Sequence, residues 1–242
     1  MNVVILQPSY VPWRGYFHQI AKADLFIFYD DVQYDKHGWR NRNRVKTING
    51  TCWMTIPVHA HGAVEDGLPI ARVRMDDRVD WRARHWRMLC QAYGKAPYFG
   101  VYREMLEGFY ARRDAYLADF TIETTVQLTR ALGIRHTRFA RSSEYTGITG
   151  TKTDRLISLL TRVGCTRYIS GPSARDYLER DKLEQAGIAL EFMAYDYPEY
   201  PQLYPPFDPQ VSIIDLLAMT GPDAMRYVDR GWAEVRGGGG TP

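Results

Sequence analysis

A β-α-β pattern in the first 34 residues restricts the possible folds more than any other feature of the chain. Residues 2–6, "NVVIL", contain four consecutive valine, isoleucine or leucine residues, which predicts a buried central strand. A helix is predicted from Gly15 to Ala23, and "LFIFYDDVQY", which begins at Leu25, is typical of a second strand. Two strands joined by a helix indicate a parallel sheet in an α/β protein.

The connection after the first strand is a candidate binding loop because ligands of parallel sheets bind at the carboxyl ends of the strands. It reads "QPSYVPWRGYF", Gln7 to Phe17. Its prolines stiffen the backbone, Gly15 would let a ligand approach closely, and Tyr10, Trp13 and Tyr16 supply flat contact area. The structural alternative is that these rings only cover the core.

The remaining chain continues the α/β pattern with one helical interruption. Helices are predicted between residues 80 and 133, and strands and helices alternate again from "GTKTDRLISLL" to "IALEFMAY". We therefore predict a Rossmann-like, mainly parallel sheet flanked by helices, with an additional mostly helical segment at about residues 80–133. The expected organisation is one domain over residues 1–230 and a disordered glycine-rich tail at 231–242.

Composition bounds the partners and the compartment. The 242 residues are 45% hydrophobic and 24% charged, and the formal net charge of +3 does not demand a nucleic acid as partner. Three cysteines form no C-x-x-C pair, which fits a reduced cytoplasmic compartment. No apolar run approaches the length of a membrane span, and no leader pattern is present, so we expect no membrane insertion.

Two adjacent carboxylates, Asp30 and Asp31, follow the second predicted strand. Carboxylates at a buried strand end are costly unless they meet a cation, an amine or hydrogen-bond donors. Arg42 and Arg44 follow a few residues later, so acids and guanidiniums together would suit a ligand that carries an amine and phosphates. The alternative is a solvated hairpin in which these arginines simply pair with the acids.

Two further loops could bind polar groups. In "TGITGTKTDRLI", Lys152 lies in the first turn of a predicted helix, where free N–H groups favour an anion, although an ordinary N-cap by Thr151 or Thr153 is the competing interpretation. "YISGPSARDYL" places hydroxyls and a glycine turn at another strand end, but the G-x-S-x-G nucleophile motif is absent. His59 and His61 are too few for a metal site, so we predict neither metal nor cofactor.

Six motifs occur together and in order: "QPSYVPWRGYF", "ADLFIFYDDVQY", "WRNRNRVK", "WMTIPV", "YISGPSARDYL" and "FDPQVSIIDLLAMTG". With them the chain resembles the WbqC-like protein family from residue 2 to about residue 225. The resemblance implies a role in O-antigen or natural-product biosynthesis, in which an acyl group such as glycyl is placed on an amine.

The resemblance also implies a set of site residues, which are those inside the motifs. They are Gln7, Tyr10, Trp13, Gly15, Asp30, Asp31, Gln33, Trp39, Asn41, Arg42, Asn43, Gly171, Ser173, Tyr177 and Asp215.

The leading hypothesis is an N-acyltransferase that passes an acyl or aminoacyl group from a thioester, on a carrier protein or coenzyme A, to a small amine such as an amino sugar. Asp30 or Asp31 would hold or deprotonate the amine, and His18 is a further acid/base candidate by position. Gln33 and Asn43 would orient the amine, while Arg42 with Lys152 would bind phosphate. A homodimer is compatible with this hypothesis.

Two alternatives of other classes stay open. The opening strand, turn and helix faintly resemble HIGH-motif adenylyl-transferring enzymes, but "WRGYFHQI" lacks the defining His-x-Gly-His and keeps only His18. A non-catalytic sugar-nucleotide-binding protein would need none of the proposed proton transfers.

Overall fold

The computed structural model describes residues 1–59 and 67–229. Over these ranges the strands and helices follow one another in the order listed next. They are β1 (Asn2–Leu6), α1 (Arg14–Lys22), β2 (Leu25–Phe28), β3 (Arg42–Thr47), β4 (Gly50–Thr55), β5 (Val58–His59), β6 (Arg74–Met75), α2 (Trp81–Tyr93), α3 (Phe99–Ala111), α4 (Leu117–Ala131), β7 (Arg138–Arg141), α5 (Lys152–Arg162), β8 (Arg167–Ser170), α6 (Arg180–Gln185), β9 (Ala189–Phe192) and α7 (Ile213–Thr220).

Five strands form the central sheet in the order β7-β2-β1-β8-β9, and every neighbouring pair is parallel. The chain first builds outward from β1 through β2 to β7 and then crosses to the other side of β1 to build β8 and β9. This order places a topological switch point between β1 and β8, where open α/β sheets form their ligand crevice. The predicted α/β, Rossmann-like class is confirmed.

Helices cover both faces of the sheet because successive strand residues point to opposite sides. Val4, Phe26 and Phe28 belong to a large hydrophobic cluster that includes residues of α1 to α4 and α7. Val3 and Ile27 belong to a second cluster that is completed by residues of α5 and α6. Both sets are buried, so the apolar runs of β1 and β2 are explained by burial on two faces.

The helical segment α2 to α4 enters the chain between β6 and β7, as the sequence predicted. Asp80 caps α2 by accepting a hydrogen bond from the N–H of Ala83 at 3.1 Å. The polar stretch after β2 is an antiparallel hairpin of β3 and β4. Within residues 1–59 and 67–229, no helix is long and apolar enough to cross a membrane.

Two local predictions differ from the structure. "ARVRMDD", Ala71 to Asp77, alternates between polar and apolar residues, which predicts a half-exposed strand, but Ile70–Arg72 is a 3-10 turn and only Arg74–Met75 pairs with β5. No strand was predicted at residues 138–141, where β7 forms the sheet edge with the sequence "RFAR". The alternation of apolar and polar residues in this strand is weak because arginines occupy both of its ends. The predicted tail at 231–242 lies outside the described residues.

Candidate functional site

A cavity of about 1520 Å³ opens at the carboxyl ends of β1 and β2, between them and the start of α5. This is larger than the about 300–1,000 Å³ that is usual for a small-molecule site, so it can hold an extended ligand or two reactants. Its polar and charged lining residues are Gln7, Ser9, Gln19, Asp31, Gln33, Arg40, Asn43, Thr151, Lys152, Arg155, Asp176, Glu179 and Gln210. Trp13, Tyr16, Tyr29, Trp39, Tyr168 and Tyr177 contribute rings.

Of the two adjacent acids that follow β2, Asp31 is the one that lines the cavity. Its Oδ2 accepts a hydrogen bond from the guanidinium of Arg155 at 2.5 Å, and its Oδ1 accepts one from the hydroxyl of Ser142 at 2.5 Å. The side chain keeps 23% of its surface exposed. Asp31 therefore combines a fixed orientation with access to a ligand.

Asp30 is fully buried and does not line the cavity. Its Oδ2 accepts hydrogen bonds from Arg141 Nε at 2.6 Å and from the Ser143 hydroxyl at 3.0 Å, and its Oδ1 accepts the Ser143 N–H at 3.1 Å. Arg141 also pairs with Asp119 at 2.6 Å. These donors occupy the Asp30 carboxylate, so it joins the ends of β2 and β7 and faces no ligand.

The partners of the two acids thus differ from the arginines that the sequence suggested. Arg141 and Arg155 hold Asp30 and Asp31. Arg44 lies instead 3.7 Å from Asp208. Arg155 follows Lys152 by three residues, one turn along α5, which is the only sequence signal that would have linked it to the anion-binding loop.

The start of α5 brings positive charge into the cavity. Lys152 and Arg155 both line it, and Thr151 is the N-cap but its hydroxyl makes no capping hydrogen bond. The alternative interpretation, an N-cap by Thr151 or Thr153, therefore fails for Thr151, and the Thr153 hydroxyl accepts the N–H of Glu179 at 3.3 Å instead. Lys152 adopts a φ of 49°, in the left-handed region that a residue with a side chain rarely takes. Such strain is frequent at ligand-binding positions.

Arg40 adds a third cation to the cavity wall. Its Nε lies 3.4 Å from Asp35 Oδ1, and burial lowers the pKa of its guanidinium. Arg40 was not among the predicted site residues, although it lies in the same segment, "WRNRNR", as the predicted Arg42.

Two glutamines offer hydrogen-bonding groups to a ligand. The side-chain amide of Gln7 has no hydrogen bond within the described part of the chain. Gln19, on α1, donates to the hydroxyl of Tyr195 at 2.8 Å, while its buried Oε1 has no partner there. Because a buried carbonyl oxygen without a donor is unfavourable, Gln19 is a candidate acceptor for a donor group of the ligand.

The rings of the first loop divide between core and cavity. Tyr10 is buried in the helical side of the core, where its hydroxyl lies 3.0 Å from His85 Nδ1 and 2.8 Å from the Tyr110 hydroxyl. Trp13 lines the cavity. A side chain at Gly15 would come within 2.3 Å of the Trp13 ring, so the space at this glycine is used by Trp13 and not by an approaching ligand.

The two predicted asparagines, Asn41 and Asn43, donate hydrogen bonds to main-chain carbonyls of other segments. Asn43 donates to the carbonyls of Tyr10 at 3.1 Å and Val11 at 2.9 Å, and its Oδ1 accepts the N–H of Arg44 at 2.8 Å. Asn41 donates to the carbonyl of Ile56 at 2.8 Å. Asn43 touches the cavity, but its amide is already engaged in fixing the first loop.

Several other predicted residues fall outside the main cavity. His18 lines a separate cavity of about 320 Å³, where its Nδ1 lies 2.9 Å from the Tyr197 hydroxyl and burial lowers its pKa. Arg42, Gly171 and Ser173 do not line the main cavity either. Gln33, Trp39, Lys152 and Tyr177, by contrast, do line it.

Asp215, the acid of the last motif, lies in the first turn of α7 and is buried. Burial raises its pKa to about 6, while hydrogen bonds from Tyr200, Gln202 and Tyr93 act in the opposite direction. It is absent from the cavity lining and joins α7 to the neighbouring elements.

In the described ranges, no cluster of three or more histidine, cysteine, aspartate or glutamate side chains could hold a metal ion. His59 Nε2 lies 3.8 Å from Asp76, and His61 is outside the described residues.

The comparisons with known proteins agree with the sequence motifs. The WbqC-like protein family matches residues 7–227. The uncharacterized protein Rv1507c of Mycobacterium tuberculosis is 40% identical over 231 residues, which cover 93% of this chain and 98% of that protein. No solved structure matches the chain. With this coverage, the chain belongs to the WbqC-like protein family.

Proposed function

We propose that the protein is an N-acyltransferase that moves an acyl or aminoacyl group from a thioester to the amine of a small acceptor. The single observation that carries the proposal is Asp31, a carboxylate that lines the large cavity, is held by Arg155 and Ser142, and remains partly exposed. A carboxylate in this position can attract an amine and take up its proton.

The proposed reaction needs one proton acceptor and good positioning. The neutral amine attacks the thioester carbonyl, a C–N bond forms, and the C–S bond breaks to release a thiolate. Asp31 takes the proton that the nitrogen loses, and the thiolate is protonated to give the free thiol. Holding amine and thioester together supplies most of the acceleration, because a bimolecular step becomes an effectively unimolecular one.

The cationic side chains that line the cavity favour a donor or an acceptor that carries an anionic group. Lys152 and Arg155 line the cavity at the amino-terminal end of α5, whose dipole favours negative charge. Carrier-bound and coenzyme A thioesters both bear a phosphate on their pantetheine arm. The cavity volume of about 1520 Å³ is sufficient for that arm together with a small amine.

The testing experiment measures free thiol with glycyl-coenzyme A or glycyl-pantetheine as donor and a panel of amino sugars as acceptors. We expect thiol release that depends on the amine, with the amide product identified by mass spectrometry. Asp31→Asn should abolish most of it. The matched control is Asp154→Asn, which also removes a carboxylate, but one that lies on α5 and pairs with Lys182 at the surface.

Two results would reject the proposal. One is thiol release at the same rate without amine, which would indicate simple hydrolysis. The other is release of pyrophosphate from a nucleoside triphosphate with magnesium, which would identify a nucleotidyltransferase.

A further inference from the structure

An exposed cluster of two tryptophans and two arginines lies on the β3–β4 hairpin and the segment before it. Trp39 and Trp53 are 40% and 47% exposed, and their ring centroids are 5.3 Å apart at an interplanar angle of 34°. The guanidinium of Arg42 lies 4.8 Å from the Trp53 ring, and that of Arg44 lies 5.9 Å and 5.7 Å from the rings of Trp39 and Trp53. We call these four residues the Trp-Arg surface.

The Trp-Arg surface is not explained by core packing. Large aromatic rings usually bury most of their area, so two neighbouring exposed tryptophans indicate contact with a partner molecule. Within the described residues Arg42 has no carboxylate inside 4.0 Å, and its guanidinium donates only to the carbonyls of Gly38 and His37. An arginine that is stacked but not neutralised favours an anion.

The surface is continuous with the main cavity. Trp39 lines the cavity together with the adjacent Arg40 and with Asn43 of β3. Gln210, which accepts a hydrogen bond from Arg44 at 3.0 Å, also lines it. A ligand could therefore extend from the cavity onto the tryptophan rings without leaving the protein.

We propose that the Trp-Arg surface binds the nucleotide end of a substrate whose reacting end enters the cavity. The base would stack on the exposed ring of Trp39, and the diphosphate would lie against Arg42 and Arg44. The guanidinium of Arg44 lies 5.9 Å from the Trp39 ring, and that of Arg42 lies 4.8 Å from the neighbouring Trp53 ring, so cations stand within about one nucleotide's length of the stacking rings. Every base has a π-face, so stacking on tryptophan and arginine suits a nucleotide well.

This inference rests on the proposed acyl transfer, because the donor and the acceptor of that reaction are the two molecules that would carry the nucleotide. A nucleoside diphosphate is part of a coenzyme A thioester donor, and it is also the leaving end of a nucleotide-linked amino-sugar acceptor. In both cases the Trp-Arg surface would recognise the same group, a nucleoside diphosphate. Binding without turnover can be measured separately, so a failure of the surface and a failure of acyl transfer give different results.

The experiment measures binding by isothermal titration calorimetry, with ADP, UDP, coenzyme A, a UDP-linked amino sugar and inorganic pyrophosphate as probes. The variants are Trp39→Ala and Arg42→Gln, with Trp39→Phe to keep a ring if the alanine variant does not fold. The matched control is Tyr116→Ala. Tyr116 is also exposed and has a guanidinium, that of Arg74, 5.4 Å from its ring, but it does not line the cavity.

We expect at least one nucleotide to bind with a Kd below about 1 mM, Trp39→Ala and Arg42→Gln to weaken it about 10-fold or more, and Tyr116→Ala to change it less than 2-fold. Preference for coenzyme A or for the UDP-sugar would identify the donor or the acceptor. The proposal is overturned by an absence of nucleotide binding, by equal binding of pyrophosphate and nucleotides, or by an equal loss in Tyr116→Ala.

Discussion

At the residue scale, the two adjacent aspartates have different tasks because neighbouring elements supply different donors to each. Asp30 receives Arg141 Nε together with the N–H and the hydroxyl of Ser143, and it is fully buried. Asp31 receives one guanidinium N–H and one hydroxyl and keeps contact with the cavity. Both acids were predicted as site residues from their position after a strand, but the sequence could not separate them.

Asp31→Asn should lower turnover by about 10²–10⁴, the usual contribution of a positioned acid or base. The loss of the pair with Arg155 should cost at most about 1 kcal/mol of stability because both side chains are partly exposed. Steady-state rates and a urea unfolding curve on the same preparation measure both quantities. Unchanged turnover would remove Asp31 from the reaction.

Asp30→Asn should instead lower the stability and leave the turnover of the folded protein unchanged. It leaves Arg141 without its buried partner, and removing one member of such a pair costs about 3 kcal/mol. Activity should then fall only in proportion to the folded fraction, as measured by circular dichroism at the assay temperature. If this variant is stable and inactive, Asp30 takes part in the chemistry after all.

At the element scale, the first loop is held in place by the hairpin that follows β2. Asn43 of β3 donates to two carbonyls of that loop, those of Tyr10 and Val11, and Val11 has a φ of 35° in the left-handed region. A β-branched residue in this region is strained, so other contacts must fix the loop. Asn43 provides those contacts.

The pair Asn43→Ala and Gln7→Ala tests which predicted loop residues support the fold and which face the ligand. Asn43→Ala should cost about 2–4 kcal/mol because two buried carbonyls lose their donor and a main-chain N–H loses its acceptor. Gln7→Ala should leave the unfolding free energy within about 0.5 kcal/mol of the parent, since its amide has no partner in the described residues, and should raise KM. Equal stability of the two variants would contradict this assignment.

Strand β7 shows why the sequence did not reveal the whole site. β1 and β2 were predicted because strands buried on both faces are continuous apolar runs. "RFAR" lies at the sheet edge, where burial on both faces is not required, and it carries no such run. Arg141 and Ser142 reach the aspartates only through the pairing of β7 with β2, a contact across more than 100 residues that no local pattern encodes.

At the scale of the whole molecule, two buried titratable groups have pKa values displaced in opposite directions. Burial raises the pKa of Asp215 from 3.8 to about 6. Burial, together with the charge of Arg84, lowers the pKa of His85 from 6.5 to about 4. Between pH 4 and 6 the folded protein therefore keeps a proton on Asp215 that the unfolded chain has lost, and it lacks a proton on His85 that the unfolded chain has gained.

The two contributions to stability change in opposite directions as the pH rises. The raised pKa of Asp215 gives stability that is complete below about pH 4 and is lost as pH rises through 6. The lowered pKa of His85 gives stability that is complete above about pH 6.5 and is lost as pH falls through 4. Together they release and take up nearly the same number of protons on unfolding, so their sum is nearly independent of pH.

Removing either group should therefore change the slope of the free energy of unfolding with pH. With Asp215→Asn only the His85 contribution remains, and the free energy of unfolding should rise relative to the parent by about 1.4 kcal/mol per pH unit between pH 4 and 6. With His85→Gln only the Asp215 contribution remains, and the free energy should fall relative to the parent by about the same amount per unit. Urea unfolding at pH 4, 5 and 6 measures both slopes. If both variants stay parallel to the parent, then neither group titrates with a displaced pKa. Slopes of opposite sign relative to the parent require both shifts, because the difference between a variant and the parent reports the group that the variant lacks.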